Sequence, residues 1–268
     1  MNVTLLRYRL FYTRKIIAKS GTVVVRNIER RGKMLHDEAM ENITSFLPRI
    51  KIFESLPAEI IREIEQLVTR SNTYKLSKNS ILQTPGNERN GLFFVIDGKL
   101  RLYKTNSAGK QHTVCILSEG GMFGEVETFS LGTRGTYVET MEDSIVFSIS
   151  TEQFEPLLRK YSELSLRFLS ELSKRLRDQD ELVEKLVFRD LRGKVLYFLN
   201  RLSKKFGIEE NGYRKIDIPL THQELANMIG ATREAVSLTL QELSNEGILV
   251  TSRRMVMIHI EKAMEELA

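Results

Sequence analysis

Cysteine is nearly absent from this chain: Cys115 is the only one in 268 residues. A single thiol excludes an internal disulfide and any four-cysteine zinc or iron–sulfur site, and it fits a reducing cytoplasm. Histidine is almost as scarce, and His36, His112, His222 and His259 lack the spacing that would hold a metal. No apolar run approaches the roughly 20 residues that span a bilayer, so no membrane partner is expected. Internal repeats, low-complexity tracts, a phosphate-transfer loop and a nucleophile–base set are also missing, and the chain is not expected to be an enzyme. What remains, with 41% hydrophobic and 28% charged residues, reads as a soluble globular protein long enough for two modest domains.

The net charge of +5 suggests nucleic acid until it is located. Residues 1–33 hold nine Lys/Arg and one acid, Glu29, so this segment carries +8 and the rest of the chain −3. The basic balance belongs to the N-terminal extension (1–39) and is poor evidence for a DNA-binding surface on the body. That extension lacks the continuous apolar core of a signal peptide. It reads as an organellar presequence, as a poorly packed arm, or as translated leader. The third reading rests on "ERRGKM" (29–34), whose codons can spell a ribosome-binding site just before a methionine. It sets the expected start at Met34 or Met40, and intact mass of natively expressed protein checks it.

Beyond residue 40 the chain divides into an expected effector domain (40–157), a long helix (158–190) and a C-terminal domain (191–268). "AEIIREIEQLV" places Ile60, Ile61, Ile64 and Leu67 on one helical face. From about 74 to 149 the apolar period is two, with Asp97-Gly98 as a two-residue hairpin signal and "SAGK" (107–110) as another turn. Short strands at this spacing suggest an antiparallel double sheet or barrel-like roll. Ser150 to Gln153 is a capping-box pattern opening helix. In the long helix Leu169, Leu172, Leu176, Gln179, Val183 and Leu186 alternate in steps of three and four, a seam that predicts a homodimer. A further helix follows with Val195, Leu196, Leu199 and Leu202 inward.

The most specific stretch is "PLTHQELANMIGATREAVSLTLQELSNEGIL". Thr221 and Glu224 form a capping box over a short helix that begins at His222, and Leu225 and Ile229 point inward. Gly230 sits where a tight turn needs positive φ. Thr232 caps a second helix with Val236, Leu240 and Leu243 on its buried face. That leaves Arg233, Glu234, Ser237 and Leu238 outward, where a helix-turn-helix meets base edges, and Thr221, His222 and Thr232 at the two helix starts belong to the same candidate DNA-binding set. Arginine can bond guanine bidentately, glutamate can accept from cytosine, and serine is permissive. "ILVTSRRMVMIHI" then reads as a hairpin wing with Arg253 and Arg254 at its tip, placed to hold phosphate.

With "FFVIDGKLRLYK", "GGMFGE", "LVFRDLRGKVLYFL" and "THQELANMIGATREAVSLTLQEL" in this order, the body over roughly 45–262 resembles the cyclic-AMP receptor/FNR (CRP/FNR) family of bacterial transcription regulators. The resemblance implies an α+β chain: an N-terminal cyclic-nucleotide-binding-type β-roll of jelly-roll form, a long dimerisation helix and a C-terminal winged helix-turn-helix. It implies a homodimer on a palindromic DNA site, with RNA polymerase as a further partner. In the family's ligand loop the Gly-Glu pair matches Gly124-Glu125, with the carboxylate on a ribose hydroxyl, and the phosphate-gripping Arg-Ser pair matches Arg134-Gly135. The hydroxylated residues that meet the adenine match Gln179 and Asp180.

Those matches are incomplete. The arginine is present, the serine hydroxyl is not, and Asp180 adds negative charge beside an anionic ligand. Three readings stay open: a cyclic-nucleotide-class ligand, a different small acidic metabolite, or a vestigial cavity in which Arg134 pairs with Glu125 or Glu127. One cysteine rules out the cluster of the FNR branch. Haem is not expected either, because strict strand alternation puts His112 and Cys115 on opposite faces. Many relatives carry an arginine at the position of Leu238, so the expected half-site differs from TGTGA by a weaker guanine preference at that step. The competing classes are an enzyme or metabolite-binding protein with a fortuitous winged helix, and a DNA-binding protein with no effector.

Overall fold

The computed structural model describes residues 46–68, 72–87, 90–126, 129–252 and 255–267. The extension over 1–39, Glu127, and the wing-tip pair Arg253 and Arg254 lie outside the described residues.

The period-two region folds as eight strands in two antiparallel sheets. One contains β1 (Thr73–Leu76), β3 (Gly91–Asp97), β6 (Met122–Glu125) and β8 (Ser144–Ile149), in the order β1-β8-β3-β6. The other contains β2 (Ile81–Gln83), β4 (Leu100–Thr105), β5 (Gln111–Leu117) and β7 (Tyr137–Thr140), in the order β2-β7-β4-β5. Alternation buries Phe93, Val95, Leu100, Leu102, Phe123, Val138 and Val146 in one cluster shared by the two sheets. Phe93 and Phe123 stack there with ring centroids 5.1 Å apart. The opposite face of the first sheet, with Phe94, Phe147 and Ile149, packs under the flanking helices.

The hairpin expected at Asp97-Gly98 does not form. β3 pairs with β6 and β8, whereas β4 pairs with β5 and β7, so this corner carries the chain from one sheet to the other. Gly98 (φ 88°) lies against the start of β8, where a Cβ would stand 2.6 Å from the Asp143 carbonyl oxygen. The turn at 107–110 is the true hairpin, joining β4 to β5, and the Asn106 side chain accepts from the amides of Ala108 and Lys110.

Helix α1 (Ala58–Leu67) buries Ile60 and Ile64 and leaves Ile61 and Leu67 at the margin of the same cluster. α2 (Thr151–Lys160) opens with Gln153 accepting from the Ser150 amide at 3.2 Å. α3 (Ser162–Phe188) runs 27 residues, and α4 (Leu191–Phe206) starts at an Asp190 cap whose carboxylate accepts from the Gly193 amide. Beyond α4 lie β9 (Gly207–Glu210), β10 (Tyr213–Ile216), α5 (His222–Ile229), α6 (Arg233–Asn245), β11 (Leu249–Ser252), β12 (Met255–His259) and α7 (Ile260–Leu267). The four strands form one sheet, β11-β12-β10-β9. Val195, Leu199, Leu225, Val236, Leu240 and Ile258 share a core with Ile116 and Met141 of the roll, so the C-terminal unit packs against the second sheet.

Candidate DNA-reading face and ligand cavity

Both helix starts of the C-terminal unit are capped as their spacing predicts. Thr221 Oγ1 accepts from the Glu224 amide (3.1 Å), and Glu224 accepts from the Thr221 amide (2.6 Å). Thr232 Oγ1 accepts from the Ala235 amide at 3.2 Å. Gly230 takes φ 74° at the end of α5, which lets the chain turn into α6 without steric cost. Leu225, Ile229, Val236, Leu240 and Leu243 are buried, while Arg233 and Glu234 are exposed and Leu238 is 63% exposed. Ser237 is tied into the motif: its hydroxyl donates to the Arg233 carbonyl (2.8 Å) and lies 2.7 Å from His222 Nδ1. His222 thereby braces α5 against α6.

The roll touches this unit at its turn. Lys110 Nζ donates to the Gly230 carbonyl at 3.2 Å, and His112 Nδ1 lies 3.1 Å from the Asn227 carbonyl oxygen.

Along α3 the predicted seam separates into two sets. Leu169, Leu176 and Val183 are exposed, as is Gln179, but Leu172 and Leu186 pack against this chain's own cores. Leu166 and Val187 are exposed in their place, so the apolar stripe left uncovered runs Leu166, Leu169, Leu176, Val183, Val187, with Ser173 and Asp180 at the intervening steps.

In the loop after β6, Glu125 is buried and turned inward. Its Oε1 accepts from the Thr133 amide (3.0 Å) and hydroxyl (2.9 Å), and the Gly124 amide donates to Thr133 Oγ1 (3.0 Å). Arg134 Nε is 4.0 Å from Glu125 Oε2, but its side chain is 75% exposed. Gly135 follows at φ 71° in the same turn. Thr133, which the motif reading passed over, is the residue that satisfies the carboxylate. Its position eight residues after Glu125 gives no local signal for that role.

A cavity of about 700 Å³ lies between the second sheet, α3 and α4. Gln179 lines it, as do Ser130 to Thr133, whereas Gly124, Glu125, Arg134, Gly135 and Asp180 do not. The charged residues that line it carried no signal in the sequence: Lys51, Lys104, Lys174, Arg175, Arg201 and Lys205, with Glu171 and Asp178. Arg175 is fixed by Glu171 (3.1 Å) and by the Met122 carbonyl (2.9 Å).

The alternation expected of β5 is overturned here. Thr113 pairs with Tyr103 and Cys115 with Leu102, which leaves Val114 as a bulge. Because Lys104 and Leu102 share a face, their partners His112 and Cys115 do too, and both line the cavity. Burial pushes the Cys115 thiol up from its ordinary range, against the pull of Lys205, Arg175 and Arg201. Among the described residues there is no group of three or more His, Cys, Asp or Glu side chains suited to a metal ion, and no helix long and apolar enough to cross a membrane.

The chain matches the cyclic nucleotide-binding domain over residues 74–161 and the Crp-like helix-turn-helix domain over residues 193–267. It is 26% identical over 228 residues to the global nitrogen regulator of a Synechocystis species, covering 84% of this chain and 98% of that protein. To the cyclic AMP receptor protein of Thermus thermophilus it is 29% identical over 177 residues, covering 66% and 79%. A solved structure of a CooA variant from Carboxydothermus hydrogenoformans is similar at a TM-score of 0.62 and 27% identity, covering 73% of this chain and 87% of that one. With a roll, a long helix and a winged helix-turn-helix in this order, and both domain matches falling on them, the chain belongs to the CRP/FNR family of transcription regulators.

Proposed function

We propose that this chain acts in the cytoplasm as a homodimer that reads a two-fold-symmetric DNA site and is modulated by a small anionic ligand in the cavity between the roll, α3 and α4. The observation that carries the DNA reading is α6 itself. One face is closed into the core through Val236, Leu240 and Leu243, and the other presents Arg233, Glu234 and Leu238 at its N-terminal end. A helix held this way can enter the major groove end-on, and a dimer would set two such helices about one helical turn apart. The uncovered stripe on α3 supports the dimer, since its three-and-four spacing suits a parallel partner helix. RNA polymerase is the expected further partner, on likeness to the family.

A second reading, an effector-independent regulator with a vestigial cavity, draws on Glu125 being engaged by Thr133 rather than free for a ligand. Selection from a random DNA pool, combined with sedimentation of the protein, tests the main reading. The expected product is a dimer enriching a palindrome whose half-site has little guanine preference at the Leu238 step. Leu238→Arg should restore that preference by about 1–3 kcal/mol, because leucine offers only apolar contact where arginine donates bidentately. A monomer that enriches no sequence would overturn the proposal.

A further inference from the structure

We infer that the cavity takes a small multivalent anion, a phosphate or carboxylate compound carrying two or more negative charges, and that the DNA-binding unit holds part of it through Arg201 and Lys205. This rests on the ligand-modulated reading above and specifies its ligand and its contacts.

Charge balance is the first ground. Six Lys/Arg residues from four segments line one concavity: Lys51 from before α1, Lys104 from β4, Lys174 and Arg175 from α3, and Arg201 and Lys205 from α4, with Arg175 half-buried and the others exposed at its open side. Two carboxylates face them, and one of these, Glu171, already pairs with Arg175. Among the described residues no carboxylate lies within ion-pair distance of Lys51, Lys104, Lys174, Arg201 or Lys205. Cations gathered in a concave site focus their field, which draws an anion in and lowers their mutual repulsion once it is bound. Phosphate and carboxylate oxygens also match the donor sets of arginine and lysine.

Lys205 reports the same crowding. Part of the residue reaches solvent, but its ammonium donates to the Ile116 carbonyl at 2.7 Å. Desolvation holds this ammonium below the usual lysine range, and Arg201, Arg175 and Lys174 push the same way, while Cys115 acts in the opposite sense. A multivalent anion would relieve that repulsion and stitch α4 to the roll and α3. A ligand that favours one placement of the DNA-binding unit in this manner shifts the population toward it.

A cyclic nucleotide does not fit the residues as they stand. It carries a single negative charge, and the residues expected to cradle it, Gly124, Glu125, Arg134 and Gly135, do not line the cavity although Ser130 to Thr133 of the same loop do. Glu125 Oε1 is engaged by Thr133, while Oε2 is sealed from solvent without a hydrogen-bond partner. Arg134 is exposed and does not line the cavity, and Gly135 has no hydroxyl to offer. The volume of about 700 Å³ is ordinary for a metabolite site, so charge discriminates here more than size.

The test is calorimetric titration of the full-length protein, without DNA, using citrate, inorganic pyrophosphate, cyclic AMP and acetate at matched ionic strength. Citrate or pyrophosphate should bind at least about ten-fold more tightly than cyclic AMP or acetate, and the better of the two distinguishes a carboxylate from a phosphate ligand. Arg201→Gln and Lys174→Gln, on different helices and each checked for folding by circular dichroism, should each weaken binding about ten-fold or more. Arg134→Ala should leave it within about two-fold. Absence of binding by both multivalent anions overturns the inference, as does insensitivity to both glutamine variants. Tighter binding of cyclic AMP that depends on Arg134 also overturns it. Because DNA is absent from the cell, these failures leave the DNA-reading proposal standing, and failure of DNA selection leaves them readable.

Discussion

The α5–α6 turn and the loop from Phe123 to Gly135 are both short, glycine-bearing and rich in side-chain oxygens, and they dispose of those oxygens differently. At the turn, Thr221, Glu224 and Thr232 cap backbone amides within three residues of themselves, and the outward positions Arg233, Glu234 and Leu238 are left to meet a partner. In the roll loop Glu125 is satisfied by Thr133 across the loop, and neither Glu125 nor Arg134 lines the cavity. The cations that do face the cavity come from α3, α4, β4 and the segment before α1. In the DNA-binding unit the groups that build the motif stand beside the groups available for recognition. In the roll the two have moved apart, so a motif can persist while recognition passes to other residues.

The largest effect should come from breaking the Glu125–Thr133 arrangement. Thr133→Val keeps the shape and removes a buried hydroxyl that serves both Glu125 Oε1 (2.9 Å) and the Gly124 amide (3.0 Å). Leaving a buried carboxylate and amide short of a partner should cost about 1–3 kcal/mol, read by urea unfolding. A cost near zero would mean that Glu125 is not held structurally, and the contrast between the two loops would dissolve. Next in size is Thr221→Ala, which removes the α5 cap and should cost about 1 kcal/mol. It should leave the sequence preference of bound DNA unchanged, since Thr221 acts on α5; an altered preference would make it a base-reading residue instead.

The helix-turn-helix was legible because caps, a positive-φ glycine and a 3.6-residue period are all local, and each needs only neighbours in the chain. The roll was legible as alternating strands but not in its details. Asp97-Gly98 has the residues of a hairpin turn, yet strand pairing with β8 and β6 makes it a corner. Nothing local marks Val114 as a bulge; pairing with β4 decides it, and with it the face on which His112 lies. Leu172 and Leu186 obey the heptad step, but α3 packs against two cores of its own chain, which takes one flank of the seam. Arg201 and Lys205 sit in a helix whose apolar positions explained it fully, 22 and 26 residues beyond Gln179, so their place in the lining of the same cavity is a tertiary fact.

The smallest effect sharpens the comparison where the two regions meet. Glu139 on β7 stands opposite Arg101 on β4, an arrangement that should favour its charged form. Burial nevertheless raises its carboxyl above the ordinary range; Arg101 opposes the shift, and the Glu224 carboxylate of α5 adds to it. A carboxyl raised in the folded state holds its proton more tightly there than in the unfolded chain. Its contribution to stability is therefore greatest at low pH and is lost as pH rises from the ordinary value of 4.5 through the raised one. Glu139→Gln removes this titration, so the unfolding midpoint of the wild-type protein, measured relative to the variant, should fall as pH rises from 4.5 through the raised value and then level off. Replacing Glu224 with glutamine in the wild-type background should shrink that fall, because one like charge is gone. Parallel pH profiles for all three proteins would mean that Glu139 does not sense the DNA-binding unit. The helix that carries the Thr221 cap would then be electrostatically independent of the roll on which it rests.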